Sequence, residues 1–200
     1  MRRTLSILAL LATSVSALAQ TAQLAPAKVE AGTYKVEPNH TQVMFGVSHF
    51  GFTTYWGSFT QSMGSLKLDP AKPGSSALDV TVKTGSVAVQ SPKLQDELKS
   101  AAWLDAGQFP DATFKSTAVK TTGDTTATVT GDLTLHGVTK PVTLQVTYMN
   151  AGANPINKAY TVGFEATGKI KRSDFGVKTY LPVIGDEVDL RISGAFEHQG

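Results

Sequence analysis

From Thr33 onward, apolar and polar residues alternate along the chain with a period of two, the pattern of strands that bury one face and solvate the other. Thr125 to His136 is the clearest run: Ala127, Val129, Leu133 and Leu135 share one side, and Thr126, Thr128, Thr130, Asp132, Thr134 and His136 the other. The same alternation gives an apolar face to Val142, Leu144, Val146 and Tyr148. It does so again for Tyr160, Val162, Phe164, Ala166 and Ile170, and lastly for Val188, Leu190, Ile192 and Phe196. Earlier strands are marked by Tyr34 and Val36, by Val43, Phe45 and Val47, by a long run from Gly57 to Asp69, by Leu78, Val80 and Val82, and by Phe114 to Val119. Within the long run Phe59 and Met63 have one parity and Leu66 and Leu68 the other. A parity change requires an inserted residue, which predicts a bulge near Gly64 and Ser65.

One helix competes with this pattern. Ser91 is its expected N-cap, Pro92 its first residue, and it runs through Leu94 and Leu98 to about Trp103. Gly107 to Asp111, with Phe109 before Pro110, then returns the chain to the sheet in extended form. Eight or nine half-apolar strands joined by short turns favour an antiparallel barrel or sandwich. At roughly 3.3 Å per residue a twelve-residue strand spans about 40 Å, long for a sandwich. An eight-stranded barrel can be filled by its own side chains or can hold one elongated ligand.

The first residues read differently. Arg2 and Arg3, the apolar stretch Leu5 to Leu11 and Ala17-Leu18-Ala19 form the three parts of an export signal, too short to span a bilayer. Cleavage near Ala19 would deliver the protein to the periplasm or beyond, with a flexible tail over residues 20–30 and one domain over residues 31–200. Removing Arg2 and Arg3 from 18 basic residues leaves 16 against 16 acidic ones, and no clustered Lys or Arg remains to neutralise phosphates, so no nucleic-acid partner is expected. The chain has no cysteine, which excludes disulfides, a thiol nucleophile and lipid attachment at the cleavage site, so no stable membrane anchor is expected.

Candidate chemistry is sparse. His40, His49, His136 and His198 share no metal-ligand spacing, no Gly-rich phosphate loop occurs, and no G-x-S-x-G elbow supports Ser173. Neither a catalytic set nor a resident cofactor or metal is therefore expected. His40 lies in a turn, where a structural hydrogen bond is its expected role. His136 falls on a polar parity. His49 continues the parity of Val43, Phe45 and Val47, which points it inward, toward a ligand head group or a buried neighbour. Arg172, Ser173 and Asp174 read as a charged turn that fixes strand register, or as a gate.

Three segments also carry a resemblance: YKVEPNHTQVMFGVSH over residues 34–49, GDLTLHGVTKPVTL over 131–144 and IKRSDFGV over 170–177. Together, in this order, they resemble the YceI-like, polyisoprenoid-binding periplasmic family, over nearly all of the chain from Tyr34 to Phe196. The resemblance implies an all-β, eight-stranded antiparallel lipocalin-like β-barrel with one short helical segment in a connecting loop, exported and enclosing a polyisoprenoid, an isoprenoid quinone or another long-chain lipid. It implies binding without an established catalytic set. On that reading Phe45, Val47, Phe59, Met63, Phe114, Val129, Leu133 and Phe164 are wall residues, each also readable as ordinary core. His49 would meet the ligand from inside the barrel, while Trp103, Arg172 and Asp174 would sit at the barrel ends. Small inward residues, Gly131, Ala166, Gly168 and Gly194, are expected to leave volume unfilled. The helix and the Phe50 to Trp56 loop are lid candidates. Alternatives are an enzyme or chaperone-like factor acting on isoprenoid quinones or lipids, and an interaction module with a filled interior. A homodimer through an exposed edge strand stays open.

Overall fold

The structure, a computed structural model, describes residues 23–200; the expected export signal over residues 1–19 lies outside the described residues. Eleven strands follow in order: β1 (Gly32–Val36), β2 (Gln42–His49), β3 (Thr53–Phe59), β4 (Ser62–Leu68), β5 (Ala77–Lys83), β6 (Val87–Ala88), β7 (Asp111–Thr121), β8 (Thr126–Leu135), β9 (Val138–Ala153), β10 (Tyr160–Lys171) and β11 (Ile184–His198). All pair antiparallel, in the order β1-β4-β5-β7-β8-β9-β10-β11-β2-β3-β6, and β1 also pairs with β11. That last pairing closes the sheet.

The register reduces the eleven strands to eight staves. Val43 faces Phe59 and Tyr34 faces Leu66, so β1 and β2 are halves of one bent strand whose hairpin partner is β3 followed by β4. Ser58 faces Ala88 and Ser62 faces Val82, which joins β5 to β6 in the same way. The result is an up-and-down barrel. Where β1 bends into β2 the ladder would lose bonds, and Thr41 supplies them: its Oγ1 donates to the Ala195 carbonyl at 3.1 Å and accepts from the Ala195 N–H at 3.0 Å.

The long run from Gly57 to Asp69 is broken elsewhere than at the predicted bulge. Pairing of β4 with β5 is regular through Gly64 and Ser65, pairing with β1 is regular as far as Ser65, and the parity change falls at Thr60 and Gln61, between β3 and β4. Gly64 has a different cause. Its φ is +150° and a Cβ there would lie 2.1 Å from the Asp79 carbonyl oxygen, so only glycine lets β4 approach β5 this closely. A further bulge sits in β7 between Ser116 and Ala118, which lets Phe114 and Val119 both face inward.

Between β6 and β7 lies the helix α1 (Pro92–Lys99), capped as expected: Ser91 Oγ accepts the Leu94 N–H at 3.3 Å. It ends before Trp103, which sits in the following turn. No helix among the described residues is long and apolar enough to cross a membrane.

The tail is not loose where it is described. Leu24 N–H donates to Asn150 Oδ1 at 2.8 Å, Tyr148 Oη donates to the Leu24 carbonyl at 2.8 Å, and Tyr34 Oη donates to the Glu30 carbonyl at 2.6 Å. Val29 is buried with Tyr34, Leu66, Tyr148, Val162 and Phe196. A segment without a period of its own thus takes its conformation from the barrel end it covers. That end is called the tail end below, and the opposite one, under α1, the helix end.

Candidate ligand cavity

Inward residues of all eight staves enclose a cavity of about 810 Å³, within the range of about 300–1,000 Å³ typical of ligand sites. Its wall is almost wholly apolar, because strand parity turns Phe45, Val47, Phe59, Val80, Phe114, Val129, Leu133, Leu144, Phe164, Leu190 and Ile192 to one side. The aromatic rings meet at angles rather than stacking: Phe45 and Phe59 centroids are 5.5 Å apart at 46°, and Phe164 lies 6.2 Å from Phe196 at 71°. The bulky cluster around Tyr34 and Phe196 takes up part of the tail end of the interior, and the cavity passes beside it toward Thr121 and Thr126.

The small inward residues do not create that hollow directly. A Cβ on Gly131 would meet the Phe114 ring at 2.5 Å, one on Gly168 would meet Leu144 at 2.7 Å, and one on Gly194 would meet Phe196 at 3.0 Å. Their missing side chains are occupied by neighbouring apolar ones, which can then lie along the wall and leave the axis clear.

At the helix end, Trp103, Val177 and Ile184 pack together with Val47 and Leu98 as a roof. Trp103 Nε1 donates to Glu97 Oε1 at 3.2 Å, its ring lies 6.0 Å from Tyr180, and Thr179 Oγ1 donates to the Ala102 carbonyl. Beneath the roof is Arg172, buried at 5 % exposure with its guanidinium 5.4 Å from the Trp103 ring centroid. It donates Nε–H to Gly185 O at 2.8 Å, Nη1–H to Val177 O at 3.1 Å and Nη2–H to Ile184 O at 2.9 Å. Burial disfavours its charged form, and nearby Asp186 partly offsets that. Arg172 therefore clasps the 177–185 loop under the roof. The fork geometry of a guanidinium suits this role, and an ammonium could not reproduce it.

Asp186 is a residue that sequence reasoning missed. It accepts from Ser173 Oγ at 2.7 Å and Ser173 N–H at 2.9 Å, bonds that hold its carboxyl below the usual range. Ser173 thus anchors the turn rather than acting as a nucleophile. Asp174, expected at the mouth, is exposed and lines nothing. Met63, expected in the wall, is 49 % exposed on the outer face, a consequence of the parity change at Thr60 and Gln61. His49 borders the cavity yet is exposed, with its ring 4.4 Å from Phe50, so it sits on the rim rather than inside. His136 bonds the Phe175 carbonyl through Nδ1 at 3.0 Å, and His40 pairs with Glu37 at 2.6 Å. Among the described residues no three His, Cys, Asp or Glu side chains converge as a metal site would require.

The model of the YceI-like domain matches residues 34–196 of this chain. A UPF0312 protein of Pseudomonas fluorescens is 41 % identical over 179 residues, covering 86 % of this chain and 90 % of that protein. Protein YceI of Escherichia coli O157:H7 is 41 % identical over 165 residues, covering 82 % and 85 %. Among solved structures, BcnA of Burkholderia cenocepacia superposes with a TM-score of 0.73 at 28 % identity, over 80 % of this chain and 98 % of that one. A polyisoprenoid-binding domain of Saccharophagus degradans has the same fold, with a TM-score of 0.65 at 13 % identity, over 85 % and 100 %.

Proposed function

This chain belongs to the YceI-like family, and from that premise we propose that it binds one elongated apolar lipid, a polyisoprenoid, an isoprenoid quinone or a similar amphiphile, inside the barrel after export. The observation that carries the reading is the apolar cavity of about 810 Å³ bounded by inward residues of all eight staves. A guest there gains about 0.8 kcal/mol per methylene removed from water. A neighbour of the same fold is a polyisoprenoid-binding domain, which favours a chain-like guest over a compact one.

The polar groups that border the cavity favour binding over catalysis. Arg172 and Glu97 are committed to the roof, Asp124 is exposed at the tail end, and the His49 side chain stands on the rim without a hydrogen-bond partner among the described residues. The chemistry offered to a guest is thus exclusion of water from its chain and a small polar rim for its head group. The export signal read over residues 1–19 supports action in the periplasm or beyond.

The test uses a fluorescent apolar probe taken up from water by the chain lacking residues 1–19. A polyprenyl alcohol is expected to displace the probe stoichiometrically, while a short-chain alcohol at equal concentration does not. Equal displacement by both would remove the case for a long-chain guest.

A further inference from the structure

Seven large apolar residues are strongly exposed among the described residues, and four of them lie together at the helix end. Phe50 at 52 % and Phe52 at 87 % occupy the loop between β2 and β3, and Tyr180 at 60 % and Val183 at 51 % occupy the loop before β11. The Phe50 N–H donates to the Val183 carbonyl at 3.0 Å, so the two loops are physically joined. Phe50, Tyr180 and Val183 also line the cavity, which means that its apolar wall continues onto the outer surface at this end.

The tail end differs in exposure. There the cavity is bounded by Val29, Leu68, Pro70 and Pro73 together with Ser76, Thr121, Asp124 and Thr126, and none of its apolar residues protrudes as those four do. Across residues 49–55 and 177–184 the only fully charged side chain is Lys178, and no carboxylate is present. On α1, Lys93 and Lys99 are balanced by Asp96 and Glu97, and the neighbouring turns carry Asp105 and Asp174, so an anionic surface is opposed least at the two apolar loops, which hold Lys178 and no carboxylate. Protruding Phe and Tyr side chains with a cation beside them fit the boundary between lipid head groups and acyl chains. The outer faces of these side chains are left uncovered among the described residues.

We propose that the helix end is a docking surface for a phospholipid bilayer, with Phe50, Phe52, Tyr180 and Val183 seated at the head-group boundary and Lys178 among anionic head groups. Docking stands on the rim alone. Its consequence, passage of a lipid chain between bilayer and cavity without crossing water, rests on the function proposed above.

The experiment is flotation of the chain lacking residues 1–19 with vesicles of phosphatidylethanolamine and phosphatidylglycerol. The unaltered protein is expected to float, and Phe52→Ser to bind about tenfold more weakly, the factor expected for one buried phenylalanine side chain. Ile156→Ser removes a residue that is 90 % exposed but far from this rim, and it is expected to float like the unaltered protein. Because attachment is mainly apolar, raised salt should weaken it only modestly. Uptake of a soluble apolar probe without vesicles is measured on the same samples, and Phe52→Ser is expected to retain it because Phe52 lies outside the cavity wall. An unaltered protein that takes up probe but ignores vesicles would overturn docking while leaving the binding function standing, and would turn attention to a protein receptor. Equal loss of flotation in Phe52→Ser and Ile156→Ser would also overturn it. Flotation without probe uptake would support docking and remove the proposed function instead.

Discussion

Replacing Arg172 with methionine removes a buried cation and leaves three carbonyls, of Gly185, Val177 and Ile184, without its N–H groups. Hydrogen bonds from a charged donor contribute about 1.5–3 kcal/mol each, so the gross loss is about 4.5–9 kcal/mol. Relief from burying a guanidinium offsets several kcal/mol of that. A net destabilisation of about 3–5 kcal/mol remains, together with the lost contact to Trp103. For a domain of this size each kcal/mol moves the thermal midpoint by about 2–4 °C, so a fall of about 6–20 °C is expected by circular dichroism. The effect should be local in origin. Trypsin should cut the variant at Lys178 sooner than elsewhere, since the loop it lies in has lost its clasp. A midpoint within about 2 °C of the unaltered protein, with no new cleavage at Lys178, would refute the clasp.

Other substitutions and titrations probe separate features. Gly64→Ala forces a Cβ against the Asp79 carbonyl and should lower stability by about 3 kcal/mol or more in urea unfolding, whereas a bulge at that position would have absorbed it. The Ser173 bonds hold the Asp186 carboxyl below its unfolded value, so they contribute stability above about pH 4 that is lost as pH falls through the depressed pKa; Ser173→Ala should flatten that acid limb of an unfolding curve. Burial pushes the Tyr34 phenol up to about 12, so its stabilising effect is complete below pH 10 and lost as pH rises through about 12; ultraviolet titration should find one tyrosinate appearing last, and Tyr34→Phe should abolish that step. Ala166→Trp projects a large ring into the cavity and should reduce probe uptake at least several-fold while the protein stays folded.

Strand parity made the wall legible before any coordinates, because a closed barrel imposes one inward side on every stave. Phe45, Val129, Leu133 and Phe164 follow directly. What escaped is whatever parity does not encode. The breaks at Thr60 and Thr117 move side chains from one face to the other, and a bulge leaves only a switch in the pattern, which the glycine at position 64 misdirected. The switch from Phe114 to Val119 was readable in the same way. Residues 24–30 are held in place largely by partners more than a hundred positions away, Tyr148, Asn150 and Tyr160. His49 has the inward parity of its strand but lies at its last residue, where the barrel opens to water. Arg172 read as part of a charged turn or a gate because sequence shows charge and not the three carbonyls that surround it.

Native mass spectrometry of the protein purified from a bacterial host, sprayed before any organic extraction, addresses the barrel's contents most directly. A single adduct with the mass of one long-chain lipid is expected, lost on extraction and absent from Ala166→Trp. Protein that flies at its bare polypeptide mass, and stays bare after incubation with polyprenyl lipid, would contradict a lipid-holding interior.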